Sequence, residues 1–215
     1  CIYNPMEGVS LPRKKTSDIR LLDKKEQLCL EEYVSKIHNS TTLGITLAMT
    51  TGIRIGELCA LQWKDIDLEK RILTVSKTVQ RIQLHEADRK TKLIITEPKS
   101  ESSKRIIPIP EAVVAFLKEM RENDEDFVVS GTSRVIEPRT MQYRFAKILK
   151  NVNLPSVHFH ALRHMFASNC IRLGFDIKAL SEILGHSSVE ITLNRYVHSS
   201  FEQKTEYMNR ITICV

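Results

Sequence analysis

The sequence predicts an α+β domain, mainly α-helical, with one small three-stranded antiparallel sheet. Three observations carry that expectation. Apolar residues recur at helical spacing along most of the chain, and the period shortens to two only between residues 71 and 110. Strands gathered into one stretch, rather than alternating with helices, point to α+β.

The elements follow in order. Residues 1–16 hold Pro5, Gly8, Pro12 and the basic run Arg13, Lys14 and Lys15, the composition of an interdomain linker. Asp23 followed by Glu26 is a capping-box pattern, and Leu28, Tyr33, Val34 and Ile37 continue it as a first helix. A second helix is expected over about 41–51, stopping at Gly52, and a third, RIGELCAL, ends near Trp63. Residues 71–82, 92–97 and 104–110 are β-branched and alternating, with the turn-rich PKSESS between the last two. They are expected to pair as one sheet with its tip at 98–103. Helical spacing returns at about 111–122, 138–151, 159–173, 176–184 and 188–197, and 200–212 is a last helical candidate.

Composition bounds the function. The 215 residues suffice for a core without disulfide or metal staples, and 42% hydrophobic with 27% charged residues is an ordinary globular balance. No apolar run approaches the roughly 20 residues of a membrane span, and no signal peptide opens the chain. Five cysteines, an odd number without CxxC spacing, suit a reduced, cytoplasmic setting. Of these, Cys29, Cys59 and Cys170 fall in apolar helical patterns, where a free thiol acts as a small hydrophobe. A net charge of +6 suits a polyanionic partner, although many proteins that bind none share it. Starting at Cys1 with linker-like residues, the chain is expected to be a piece of a longer protein.

Chemistry concentrates in four short stretches. In HFHALRH, His160 and His164 stand at i and i+4 on one helical face, which raises a zinc site as one alternative. Against it, no Glu follows His160 and no Cys pair lies near. His160 and Arg163 at i and i+3 near a helix N-terminus make an anion site the other reading, since Arg offers a bidentate fork and His a proton near neutral pH. Arg54 in TGIRIGEL opens a helix anchored by Ile53, Ile55, Leu58 and Leu61, with Glu57 at i+3 to pair with it. His186 follows Gly185, a helix-stop residue, and Tyr196 lies ten residues on. Each of these residues alone is more simply a helix cap, a loop polar group or a packing residue.

Their order is distinctive: TGIRIGEL at 51–58, HALRH at 160–164, LGH at 184–186 and TLNRYVH at 192–198. Over about residues 17–199 the chain resembles the catalytic domain of the tyrosine recombinases, the phage and transposon integrase family. The resemblance implies a DNA strand-exchange enzyme that works through a 3′-phosphotyrosyl intermediate, with no metal or other cofactor. It implies Tyr196 as nucleophile, Arg54 and Arg163 as phosphate clamps, and His160 and His186 in proton transfer and phosphate binding. Lys99 would be the catalytic lysine, with Lys104 as its rival, and Tyr207 would be a packing residue.

The partners it implies are double-stranded DNA and further copies of the chain, a tetramer in the synaptic complex and a monomer when free. Residues 17–199 would form the catalytic domain and 200–215 a C-terminal tail, a candidate for exchange between protomers. With DNA as the polyanion, Lys77 and Arg81 on the sheet and Arg139, Arg144 and Lys147 on a helix become candidate phosphate contacts. A solvated basic face is the plain alternative for each.

Overall fold

Eight helices and five strands form among residues 20–83, 91–98, 101–196, 205 and 208–209, which a computed structural model of the chain describes, Glu101 and the final three residues of the last helix by backbone alone. The helices are α1 (Lys24–Lys36), α2 (Ser40–Thr51), α3 (Ile55–Ala60), α4 (Glu111–Met120), α5 (Pro138–Asn151), α6 (His160–Arg172), α7 (Ile177–Leu184) and α8 (Val189–Tyr196). The strands are β1 (Ile66–Asp67), β2 (Ile72–Val75), β3 (Thr78–Gln83), β4 (Thr91–Thr96) and β5 (Arg105–Pro108). Among the described residues no helix is long and apolar enough to cross a membrane. The helical candidate at 200–212 lies almost wholly outside the described residues, as does Tyr207.

The expected caps form. The Asp23 carboxylate accepts from the amides of Lys25 and Glu26, and the Glu26 side chain accepts from the Asp23 amide at 2.8 Å. Asn39 caps α2 in the same way, so that helix starts one residue earlier than its apolar pattern suggests. Helix α2 is central. Leu43, Ile45, Leu47 and Ala48 are all buried, and α1, α4, α5 and α6 pack around it. Helix α5 is instead two-faced: Met141, Phe145, Ile148 and Leu149 are buried at helical spacing, while Arg139, Lys147 and Lys150 face solvent.

The sheet holds three antiparallel strands, but their membership differs from expectation. The order is β1–β2–β5, with Leu73 paired to Ile107 in the core, while β3 and β4 form a separate hairpin. The alternating run 71–82 therefore breaks, and the reason is one residue. Lys77 stands in phase with buried Leu73, Val75 and Val79, where an ammonium is costly to bury. The strand lapses at Ser76 and Lys77, and Lys77 Nζ donates to Gln62 Oε1 at 3.2 Å. Strand β3 then packs on α3 so closely that a Cβ at Gly56 would come within 2.7 Å of Thr78 Oγ1. The 98–103 segment thus links β4 to a strand of the other sheet rather than capping a hairpin.

Helices α6 and α7 share a smaller cluster of Phe166, Ala167, Cys170, Leu180 and Leu184. Burial pushes the Cys59 thiol up to about 12 and the Cys170 thiol to about 11, so both stay protonated. Gly52 joins that cluster to α2. It ends the helix in the left-handed region at φ 64°, and an added Cβ would lie 2.5 Å from Phe166 Cδ1. Gly52→Ala is therefore expected to lose about 1–2 kcal/mol to backbone strain and about 1–3 kcal/mol to overpacking. The check is a urea denaturation midpoint; an unchanged midpoint would contradict the cap geometry.

Candidate active site

Three arginines meet at the C-terminal end of α7. Gly185, left-handed at φ 64°, closes that helix, and the His186 amide donates back to Ser181 O at 3.1 Å. The last carbonyls of the turn are claimed in succession. Arg105 Nε donates to Ile183 O at 2.6 Å, Arg163 Nη2 to Leu184 O at 2.6 Å, and Arg54 Nη2 to Gly185 O at 2.7 Å. Unsatisfied carbonyls and the negative end of the helix dipole make this a natural seat for guanidiniums.

Each arginine has a second anchor. Arg163, on the first turn of α6 and only 3% exposed, donates through Nη1 to Gly52 O at 2.8 Å. Its plane thus bridges the ends of α2 and α7. Arg54 precedes α3 and donates through Nη1 to Glu57 Oε1 at 2.8 Å, and its side chain is 35% exposed, the most open of the three. Glu57 Oε2 also accepts from the Arg54 amide at 2.9 Å, closing the first turn of α3. Burial alone would push the Glu57 carboxyl up. Hydrogen bonds and charge from Arg105, then from Arg54, outweigh it and hold the carboxyl below its usual range. One carboxylate against two guanidiniums leaves the group net positive, and Arg163 adds to it. Such a turn attracts an anion and can grip non-bridging phosphate oxygens.

Histidines border the cluster. His186 Nδ1 lies 2.8 Å from Thr192 Oγ1, and Thr192 is fully buried on α8. That contact fixes the ring and seats α8 against the α7 turn. Tyr196 is the last residue of α8, one helical turn beyond Thr192. His160 opens α6 one turn before Arg163, its ring set edge-on to that of His164 at 4.7 Å between centroids. Among the described residues, no group of three or more His, Cys, Asp or Glu side chains is gathered to hold a metal ion.

Of the six candidates read from the sequence, Arg54, Arg163 and His186 are brought to the one turn, and α6 and α8 carry His160 and Tyr196 beside it. Lys99 lies outside the described residues. Its rival Lys104 is ion-paired with Glu97 at 2.8 Å. The candidate phosphate contacts divide. Arg139 and Lys147 are exposed on α5, and Arg144 is half-buried, bonded to Val129 O at 3.2 Å. Lys147 and Arg144 share a cleft of about 490 Å³ with Ser40, Thr41 and Thr42 at the start of α2. Lys77 is held by Gln62, and Arg81 makes a two-pronged ion pair with Glu137 at 2.7 and 2.8 Å, which ties β3 to α5. Sequence reading missed Arg105. It stands in an alternating strand, KRIIPIP, where a basic residue looks like an ordinary solvent-facing one.

Known proteins resemble this arrangement. The model of the phage integrase family matches residues 20–203. A tyrosine recombinase XerC-like protein of Caldanaerobacter subterraneus is 34% identical over 178 residues, covering 74% of this chain and 46% of that protein. The transposase from transposon Tn916 of Enterococcus faecalis is 28% identical over 207 residues, covering 88% and 50%. The chain thus spans about half the length of the curated relatives it matches. Among solved structures, the Tn1549 transposon integrase in complex with transposon right end DNA superposes with a TM-score of 0.75 at 25% identity, covering 98% of this chain and 72% of that one. The catalytic domain of bacteriophage HP1 integrase, at 19% identity and a TM-score of 0.55, shares the fold.

Proposed function

The chain belongs to the phage integrase family, and from that membership we propose that it is the catalytic domain of a tyrosine-type site-specific DNA recombinase. The observation that carries this reading is the pair of guanidiniums on the adjacent carbonyls of Leu184 and Gly185, with His186 as the next residue. In the proposed reaction Tyr196 Oη attacks a backbone phosphorus of DNA. The bond from phosphorus to the 5′-oxygen breaks, leaving a 3′-phosphotyrosyl link and a 5′-hydroxyl. The hydroxyl of another strand reverses the step and rejoins the DNA, so bond energy is stored in the protein link.

Charge gathers on the equatorial oxygens as phosphorus becomes five-coordinate, and Arg54 and Arg163 stabilise it from positions set before the substrate arrives. A phenol with a pKa near 10 needs help to deprotonate, and the cationic turn together with His160 and His186 provides it. Lys99 protonates the departing 5′-oxygen. Residues 17–199 do this work, on cytoplasmic DNA, within a tetramer of copies in the synaptic complex. A DNA duplex carrying a nick just past the scissile phosphate tests the reading: the short 5′-hydroxyl fragment diffuses away and the covalent protein–DNA adduct accumulates. The adduct is expected to persist in EDTA. Its absence, or its dependence on a divalent metal, would overturn the proposal.

DNA binding has its own expected signature. If Lys77, Arg81, Arg139, Arg144 and Lys147 each neutralise one phosphate, these five contribute about −4.5 to the slope of log affinity against log salt. Replacing Lys147 by Ala is expected to flatten that slope by about one while leaving sequence preference alone. A salt-independent affinity, measured by fluorescence anisotropy, would remove these residues from the interface. Arg81, already paired with Glu137, is expected to contribute least.

A further inference from the structure

We propose that Arg105 is a positioning residue for the strand-cleavage step, one that sets the pose of Arg54 and of the turn carrying His186. The inference rests on the recombinase reading above. Its basis is a buried fork. Arg105 donates through Nη1 to Glu57 Oε1 at 3.0 Å and through Nη2 to Glu57 Oε2 at 2.8 Å, with both side chains nearly closed to solvent. It also donates through Nε to Ile183 O, two residues before the carbonyl that Arg54 holds. The fit is close on the other side as well. A Cβ on Gly185 would come within 3.0 Å of Arg105 Cδ and Nη1.

The consequence lies in how Glu57 divides its oxygens. With Arg105 spanning both, Arg54 makes one side-chain bond to Oε1. Without Arg105, a buried carboxylate would have Arg54 as its remaining guanidinium partner, and a bidentate grip is the favoured geometry for such a pair. Arg54 would then close onto Glu57 and withdraw from an incoming phosphate. Arg105 also begins β5, directly after Lys104. Arg105 Nη1 also donates to Ser103 O at 3.0 Å, so its side chain reaches both the residues just before β5 and the α7 turn.

The test uses the full-length protein and reads two quantities, the single-turnover cleavage rate on nicked DNA and the DNA dissociation constant. Arg105→Ala is expected to slow cleavage by about 10²-fold, the scale of a small misplacement in a reacting constellation, with affinity changed less than about threefold. Arg105→Lys keeps the buried charge but cannot fork across both oxygens, and it is expected to stay about tenfold below wild type. That variant decides the matter if the alanine form does not fold. Wild-type cleavage by a folded Arg105 variant overturns the inference alone. So does an equal loss of binding and cleavage tracking thermal stability, which marks a purely structural role. Failure of the wild-type protein itself to form the adduct overturns the recombinase reading and this inference with it.

Discussion

Tyr196→Phe is expected to abolish the covalent protein–DNA adduct while DNA affinity and folding stay at wild-type levels. Phenylalanine keeps the ring and removes only the proposed attacking oxygen, so the loss is expected in the chemical step, by at least about 10⁴-fold in rate, as when a nucleophile is deleted from a catalytic unit. The position follows from the helix that carries it. Helix α8 is held to the arginine turn by the contact of buried Thr192 with His186, and Tyr196 comes one turn later. Tyr207 falls outside the TLNRYVH motif. Tyr207→Phe is accordingly expected to leave adduct formation intact. An adduct formed by the Tyr196→Phe protein and lost from the Tyr207→Phe protein would reverse the assignment.

The second large effect is expected at Arg163. Arg163→Ala removes the proposed phosphate clamp, an expected loss of about 3–4 kcal/mol in transition-state stabilisation by analogy with a deleted oxyanion donor, or 10²–10³-fold in rate. It also leaves Gly52 O and Leu184 O without a buried charged donor, about 1.5–3 kcal/mol of folding stability for each such hydrogen bond. The two losses separate experimentally. Cleavage measured well below the unfolding midpoint reports the clamp, and the midpoint itself reports the bridge. Arg163→Lys is expected to recover little of either, since an ammonium cannot span two carbonyls and present a flat fork to phosphate. A folded Arg163→Ala protein that cleaves within about tenfold of wild type would take the residue out of the reaction.

Much of the fold was legible locally. The Asp23–Glu26 capping box, the glycine stops at Gly52 and Gly185, and the two-faced pattern of α5 all form as their sequences indicate. Those signals are short-range, set by backbone sterics and by hydrogen bonds within one turn. Strand pairing was less legible. In the run 71–82 Lys77 alone interrupts the apolar phase of Leu73, Val75 and Val79, and the strand partners change across it. Alternation shows which residues share a face of a strand, but it carries no address for the partner strand.

The candidate site divides along the same line. Arg54, His160, Arg163, His186 and Tyr196 could be picked out because each sits in a compact motif whose order along the chain is itself informative. By itself the sequence determined the residue types, the helices that bear them and the family they resemble. Only the tertiary structure decided that the carbonyls of 183–185 gather three arginines, that Glu57 is shared between two of them, and that Arg105 belongs to the group at all. The physical reason is distance along the chain. Arg105 meets Glu57 across 48 residues and Ile183 across 78, and contacts of that span leave no periodic trace in sequence because they are set by how whole elements pack.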